Sequence, residues 1–218
     1  MALAPKQLIV LGDSSVYGWG DPIGGGWCSR LKQQWMSTEG SPVIYPLGIR
    51  GDGLEKVAKR WKNEWECRGE LRRNLPNGLL LAIGLNDTAN IGREDGRPQL
   101  TADAFRFGLK RLLTEMNKQT NVLVMGLTPV DEKKMPFADC LWYTNNSCDA
   151  YEREIEKSCL DLNIPFLPIF KAMRNETSWE QFLTKDGIHL NSKGHEWIYS
   201  KVSKWPPLTQ WIEKTNQT

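Results

Sequence analysis

Ser14 and Ser15 stand side by side in the segment LIVLGDSSVYGWG (residues 8–20), where four apolar residues give way to a polar turn. A serine at the end of a buried strand can act as a nucleophile if a base takes its proton and hydrogen-bond donors hold the oxyanion. The same turn could instead cap a short helix or cradle a phosphate. The other polar clusters of the chain decide among these three interpretations.

The candidate base lies in the late segment KDGIHLNSKGHEWI (185–198), which contains both histidines of the chain, His189 and His195. Asp186 precedes His189 by three residues, so in a tight turn its carboxylate can accept a hydrogen bond from one ring nitrogen and fix the tautomer. The alternative is a turn with an Asn191 helix cap and a solvent-exposed His189. For His195, inside a predicted helix, we expect a structural or solvent-facing role.

Candidate oxyanion donors follow two further apolar runs. Asn86 in the cluster 84–87 can offer its side-chain amide, and Gly51 in the cluster 48–53 can offer a backbone N–H that no side chain blocks. The backbone N–H of Ser14 also points toward the developing negative charge if Ser14 lies in a turn from a strand into a helix. The alternatives are local turn bonding for Asn86 and an ordinary turn glycine at Gly51.

The run GWGDPIGGG (18–26) is the competing signal for a phosphate loop. It matches neither the GxxxxGK[ST] pattern nor a G-x-G-x-x-G that directly follows a strand. We therefore reject phosphate binding at this turn.

Buried strands and amphipathic helices alternate along the chain. The hydrophobic pattern predicts strands at 7–12, 41–48, 78–84, 121–127 and 164–169, and helices at 26–38, 54–74, 102–119, 146–162 and 191–204. Five such repeats indicate an α/β fold with a parallel sheet and right-handed crossovers. The polar clusters then meet at the carboxyl edge of the sheet, and the irregular stretches 90–100 and 130–146 are expected to border it.

Composition narrows the class of protein. The 218 residues predict a single domain (1–218), and 28 basic against 26 acidic residues give no reason to expect a nucleic-acid or membrane partner. No segment is apolar enough for a membrane span or a signal peptide. Five cysteines without CxxC spacing favour free thiols and a cytoplasmic location.

Of the ten tryptophans, Trp19, Trp27 and Trp142 could line a pocket, although core positions are the ordinary expectation.

Taken together, the four polar clusters resemble the motif blocks of the SGNH (GDSL) hydrolase family. Block I stands as Gly12-Asp13-Ser14, the block II glycine as Gly51 in PLGIRGDG, block III as Gly84-Leu85-Asn86-Asp87, and block V as Asp186-Gly187-Ile188-His189-Leu190. The blocks follow the family's order across residues 12–195. Each block alone is a weak signal, whereas four in order are a specific one.

The resemblance implies a flavodoxin-like three-layer α/β/α fold with a central five-stranded parallel sheet. It also implies hydrolysis of a small carboxylic ester through an acyl-enzyme, without metal or cofactor. Carried over by motif, Ser14 is the nucleophile, His189 the general base and Asp186 the residue that orients it. The oxyanion hole is then formed by the backbone N–H groups of Ser14 and Gly51 and the side chain of Asn86.

Block II departs from the family pattern, because Pro46 and Arg50 stand where asparagine and serine are common. Arg50 could favour a substrate with an anionic group, although a surface salt bridge is the more ordinary use of such an arginine. Two other functions share these residues. One is an acyl-CoA thioesterase or acyltransferase with the same triad, and the other is a non-catalytic flavodoxin-like binding module.

Overall fold

The computed structural model describes residues 5–37, 41–69 and 74–213. Seven strands are present in this part of the chain: β1 (Gln7–Gly12), β2 (Val43–Gly48), β3 (Gly78–Ala82), β4 (Asn90–Ile91), β5 (Asn121–Met125), β6 (Leu141–Trp142) and β7 (Phe166–Leu167). The helices are α1 (Ser14–Tyr17), α2 (Trp27–Met36), α3 (Leu54–Glu66), α4 (Ala102–Asn117), α5 (Asn145–Asp161), α6 (Phe170–Arg174), α7 (Ser192–Val202) and α8 (Pro206–Glu213).

Five strands form one parallel sheet in the order β2-β1-β3-β5-β7. Strand order therefore reverses beside β1, and the loops after β1, β2 and β3 open at one edge of the sheet, where α/β folds bind ligands. The predicted α/β class, with a central five-stranded parallel sheet between two helical layers, is confirmed.

Both faces of the sheet are buried, which explains the near-continuous apolar strands. In β1, Leu8 and Val10 pack into a core with α2, α7 and α8, whereas Ile9 and Leu11 pack into a second core with α3, α4 and α5. All four side chains are fully buried. This double anchoring fixes the end of β1, and with it the turn that carries Ser14.

The predicted elements exist, most of them with shorter bounds. The helix predicted at 54–74 ends at Glu66. Residues 70–73 of that prediction lie outside the described ranges, and so does residue 38 of the helix predicted at 26–38. The strand predicted at 164–169 shrinks to the two residues of β7. Sequence reasoning missed α8, as well as the antiparallel pairing of β4 with β6, which joins the two stretches predicted to be irregular.

Two further findings concern location. Within the described ranges, no helix combines the length and hydropathy needed to cross a membrane. All five cysteines are free thiols, and Cys28, Cys148 and Cys159 are buried.

Candidate active site

The turn after β1 presents Ser14 at the edge of the sheet. Gly12 ends the strand, and Asp13 caps the one-turn helix α1 by accepting a hydrogen bond from the Ser15 N–H at 2.9 Å. Ser14 is the first residue of that helix and is 9% exposed. The residue that caps the helix is therefore Asp13, which leaves the Ser14 side chain free for another role.

Ser15 borders the same pocket as Ser14 and is half-buried, but its hydroxyl is engaged by the core. Its Oγ accepts a hydrogen bond from the indole Nε1 of Trp27 at 3.2 Å. Trp27 is fully buried, so of the two adjacent serines Ser15 is tied to the interior. Trp27 is accordingly a core residue, contrary to the suggestion that it lines a pocket.

Asp186 and His189 form the pair expected of a general base and the residue that orients it. The ring Nδ1 of His189 lies 2.7 Å from Asp186 Oδ2, while Asp186 Oδ1 accepts hydrogen bonds from Thr184 Oγ1 and from the N–H groups of Ile188 and His189. A carboxylate there requires a proton on Nδ1, which leaves Nε2 able to accept one. The side chain of His189 is only 11% exposed, so the alternative of a solvent-exposed turn histidine is wrong.

The carboxyl group of Asp186 stays ionised. Burial acts to raise its pKa, but the hydrogen bonds from the His189 ring, from backbone N–H groups and from Thr184 outweigh burial and hold the pKa well below its usual range. An ionised Asp186 can stabilise the imidazolium that forms when His189 takes a proton.

Two aromatic rings flank the imidazole of His189. Trp19 lies 6.2 Å away and Phe137 lies 5.7 Å away between ring centroids, both in edge-to-face orientation. Phe137 belongs to the stretch 130–146, which thus borders the site, and nothing in the residue pattern singled it out. These rings restrict the orientation of the imidazole and shield it from water.

His195 has a structural role, as predicted. It is fully buried, its Nδ1 accepts a hydrogen bond from the Trp27 N–H at 3.2 Å, and its Nε2 donates to the Trp19 carbonyl at 3.1 Å. Burial lowers its pKa, which favours the neutral ring that this pair of bonds requires. His195 thereby anchors the loop that carries Trp19. The Asn191 cap that belonged to the alternative interpretation of this segment is present, since its side chain accepts from the N–H groups of Lys193 and Gly194, but it occurs together with a largely buried His189.

The Asn86 side chain is held from both ends. Its Nδ2 donates to Asp13 Oδ2 at 3.2 Å and to the Asp52 carbonyl at 3.0 Å, while Tyr143 Oη donates to its Oδ1 at 3.4 Å. The amide nitrogen consequently faces the turn after β1 and the turn after β2. Tyr143, which is almost fully buried, is a second site residue that sequence reasoning missed.

Gly51 occupies an exposed turn with φ of 75°, a left-handed conformation that favours glycine. Within the described part of the chain, neither its backbone N–H nor that of Ser14 has an acceptor. The Asp52 carbonyl that follows Gly51 contacts Asn86, so the structure brings the block II turn to the same edge as Ser14 and Asn86.

Arg60 fixes that turn to the ends of two strands. Its Nε donates to Asp52 Oδ2 at 2.9 Å, and its Nη2 donates to the carbonyls of Gly12 and Leu47 at 3.0 and 2.9 Å. Asp52 is buried, with 4% exposure. One guanidinium thus joins the strand before Ser14 to the turn that contains Gly51.

Two buried carboxyl groups lie near Asn86: Asp13, which accepts its hydrogen bond, and Asp87, the next residue in the chain. Burial raises the pKa of Asp13 to about 6 and the pKa of Asp87 to about 7. Asp87 accepts both of its hydrogen bonds from the N–H of Leu54, so it secures the start of α3 rather than facing the cleft.

Ser14 and His189 line one pocket together with Asp13 and Trp19, although no hydrogen bond between the Ser14 hydroxyl and the imidazole occurs in the described structure. Such contacts often tighten only when substrate binds. The pocket floor is apolar, with residues such as Ile83, Met125, Leu127 and Ile188. Its free volume is about 30 Å³. Trp142, the third tryptophan considered as a pocket residue, lies half-buried in β6 and does not contact this pocket.

Comparison of the sequence with known protein families gives a match that spans the site residues. Residues 10–197 match the profile of the GDSL-like lipase/acylhydrolase family, which is most of the chain. The chain belongs to this family. The recognition made from the four motif blocks is therefore confirmed.

Curated relatives within this GDSL-like family are distant. The chain is 22% identical over 148 residues to a GDSL esterase/lipase of Arabidopsis thaliana, a match that covers 62% of this chain and 47% of the relative. A GDSL esterase/lipase of Oryza sativa subsp. japonica is 17% identical over 150 residues, which covers 62% of this chain and 58% of that protein. The matched region thus spans about half the length of these relatives.

Solved structures show the same fold across nearly the whole chain. A lipase/acylhydrolase from Enterococcus faecalis superposes with a TM-score of 0.72 at 21% identity, covering 90% of this chain and 93% of the other. An acetyl xylan esterase from Geobacillus stearothermophilus superposes with a TM-score of 0.67 at 15% identity, covering 90% and 92%. At these identities the likeness establishes the GDSL hydrolase fold and not the substrate.

Proposed function

We propose that the chain is a serine ester hydrolase that cleaves small carboxylic esters through an acyl-enzyme formed on Ser14. The observation that supports this most directly is the pairing of His189 Nδ1 with Asp186 at 2.7 Å in the same pocket that Ser14 lines. Family membership favours the same chemistry.

In the proposed mechanism, His189 Nε2 takes the proton of the Ser14 hydroxyl as Ser14 Oγ attacks the ester carbonyl. The tetrahedral oxyanion accepts hydrogen bonds from the N–H groups of Ser14 and Gly51 and from Asn86 Nδ2. The protonated His189 then gives its proton to the departing alcohol. Water, activated by the same imidazole, releases the acid and restores Ser14.

Asn86 must exchange a partner during this step. An amide nitrogen has two hydrogens, and in the free protein both are donated, to Asp13 and to the Asp52 carbonyl. The bond to Asp13 is the longer one at 3.2 Å, so we expect the oxyanion to replace Asp13 as acceptor. The backbone bond then continues to hold the amide in place.

The pocket size supports a short acyl group. A free volume of about 30 Å³ between apolar side chains accommodates about two water-sized groups, enough for the methyl group of an acetyl ester. A longer chain would have to displace the side chains of the floor, which are close-packed.

The test is turnover of p-nitrophenyl acetate, butyrate and octanoate by the native protein and by Ser14→Ala and Asp186→Asn. We expect acetate to be cleaved fastest, Ser14→Ala to abolish turnover, and Asp186→Asn to lower kcat on the order of 10³–10⁴-fold because the imidazole loses its orienting partner. Asp139→Asn is the matched control, since Asp139 is exposed and makes no ion pair within the described chain. Turnover that survives in Ser14→Ala would contradict the proposal, and faster cleavage of acetyl-CoA would favour a thioesterase or acyltransferase instead.

A further inference from the structure

We propose that Arg50, stacked on Trp19, recognises an anionic group on the alcohol part of the ester, so that the preferred substrates are short-chain esters of an alcohol that carries a carboxylate or a phosphate. This inference rests on the proposed ester hydrolysis at Ser14 and specifies the substrate class of that site.

The first observation is the position of the guanidinium. Arg50 Cζ lies over the indole ring of Trp19, 3.4 Å from the ring centroid. Trp19 is in turn held by its N–H, which donates to the Ser14 carbonyl at 3.0 Å, and by its carbonyl, which accepts from His195. The guanidinium of Arg50 thus lies on the ring of a residue whose backbone is hydrogen-bonded to Ser14, the proposed nucleophile.

The second observation is that Arg50 lacks an acidic partner. A surface salt bridge was the ordinary expectation for this residue, and the structure does not contain one: within the described ranges, no carboxylate lies within ion-pair distance of Arg50, and its N–H groups donate no hydrogen bond. Most of the other described arginines do pair with a carboxylate, as Arg30 does with Asp21 at 2.8 Å. Stacking uses the face of the guanidinium and leaves its N–H edge available for an oxyanion.

The third observation is an open cleft that Trp19 borders and that Arg50 adjoins through its contact with the Trp19 ring. Residues 17–22 and 184–186 line an open cleft of about 640 Å³ beside the Asp186–His189 pair. Both carboxylates in its wall are already satisfied, Asp21 by Arg30 and Asp186 by His189. Lys185 is a further cation in the wall, and it has no ion-pair partner within the described chain. Unpaired positive charge therefore remains around Trp19.

The small apolar pocket and the open cleft would receive different parts of the ester, the acyl group and the alcohol respectively. The apolar pocket of about 30 Å³ beside Ser14 excludes a charged or large group, so the acyl part must be small and neutral. The anionic group then belongs to the alcohol, which leaves through the open cleft. Because Arg50 immediately precedes Gly51, the anion site and the proposed oxyanion donor lie on the same turn.

The experiment compares 4-carboxyphenyl acetate and 4-phosphonophenyl acetate with the neutral 4-carbamoylphenyl acetate. The measured quantity is the ratio of kcat/KM for each anionic ester to kcat/KM for the neutral ester, and each variant's ratio is divided by that of the native protein so that intrinsic reactivity cancels. Arg50→Gln removes the charge, and Arg50→Lys keeps the charge while losing the planar fork. Lys59→Gln, an exposed cation on α3 away from the cleft, is the control for net charge.

We expect Arg50→Gln to lower the ratio about five- to tenfold, Arg50→Lys to lower it less, and Lys59→Gln to leave it within about twofold of the native value. Added salt should reduce the native preference and have less effect on Arg50→Gln. The carboxyl and phosphono esters show which anion is preferred. An unchanged ratio in Arg50→Gln, or an equal fall in Lys59→Gln, would overturn the inference while the ester hydrolase proposal stands. Failure of the native protein to cleave any of the esters in a Ser14-dependent manner would contradict both.

Discussion

Ser15 Oγ accepts a hydrogen bond from Trp27 Nε1 at 3.2 Å, whereas the hydroxyl of Ser14, which lines the same pocket, makes no hydrogen bond within the described chain. This contact is the structural reason to separate their roles. A hydroxyl that satisfies a buried indole is poorly placed to attack a substrate.

Ser15→Ala should therefore leave catalysis nearly intact and reduce stability. Removal of the Ser15 hydroxyl leaves the buried indole N–H of Trp27 without an acceptor, which we expect to lower the free energy of unfolding by about 1 kcal/mol. Chemical denaturation measures the free energy of unfolding, and aryl acetate turnover measures activity. A drop in kcat of about 100-fold or more in a folded Ser15→Ala variant would contradict the assignment of the two serines.

Asn86→Ala should lower kcat by about 10²–10³-fold, because one oxyanion donor is lost. KM should change little, since the amide acts on charge that develops in the transition state. Tyr143→Phe is the companion variant: it removes the hydroxyl that contacts Asn86 Oδ1 but keeps the donor, so its loss should be much smaller. A variant Asn86→Ala with full kcat would exclude Asn86 from the oxyanion hole.

Arg60 should be essential for stability and for the geometry of the block II turn. Arg60→Gln leaves the buried carboxylate of Asp52 with only the exposed Lys56 at 4.0 Å, which we expect to cost about 3 kcal/mol, and it releases the carbonyls of Gly12 and Leu47. The double variant Arg60→Gln/Asp52→Asn should recover part of that stability, because no unpaired charge remains. Simple additivity of the two single changes would show that the pair is not coupled.

The pH dependence of stability should carry a contribution from His195. Burial lowers its pKa, so below pH about 6.5 the unfolded chain binds a proton that the folded protein excludes, and stability falls as pH falls. The raised pKa values of Asp13 and Asp87 act in the opposite direction, since the folded state binds those protons more tightly. The stability of His195→Gln should therefore depend on pH with a smaller loss than that of the native protein as the pH falls from 7.5 to 5.0. Identical slopes for the two proteins would contradict this role.

The strands and helices that form the main sheet and its flanking layers could be predicted from the sequence, because each depends on the residues of its own segment. Each strand of the main sheet is a short apolar run, and each long helix has a clear apolar face, so both were found with errors only at their ends. The pairing of β4 with β6 could not be found, because it joins two-residue strands about fifty positions apart. The adjacent prolines Pro206 and Pro207 could have marked the start of α8, since proline is favoured in the first turn of a helix.

The candidate site divides in the same way. Ser14, Asp186 and His189 stand in recognisable motifs, whereas Phe137 and Tyr143 reach the site from a long irregular stretch with no motif. Arg60 was also missed, because its partners are backbone carbonyls and a carboxylate eight residues away, which no helical spacing rule indicates. The expectation for Arg50 was wrong for a similar reason: its partner is an aromatic ring from another loop.

The central claim is that Ser14 is the nucleophile, and covalent labelling tests it most directly. The native protein would be treated with a fluorophosphonate probe and digested with trypsin, and the peptide 7–30, which contains both serines, would be fragmented in the mass spectrometer. We predict a stoichiometric adduct on Ser14 that is absent from His189→Ala. An adduct on Ser15, or no adduct on the folded native protein, would contradict the account.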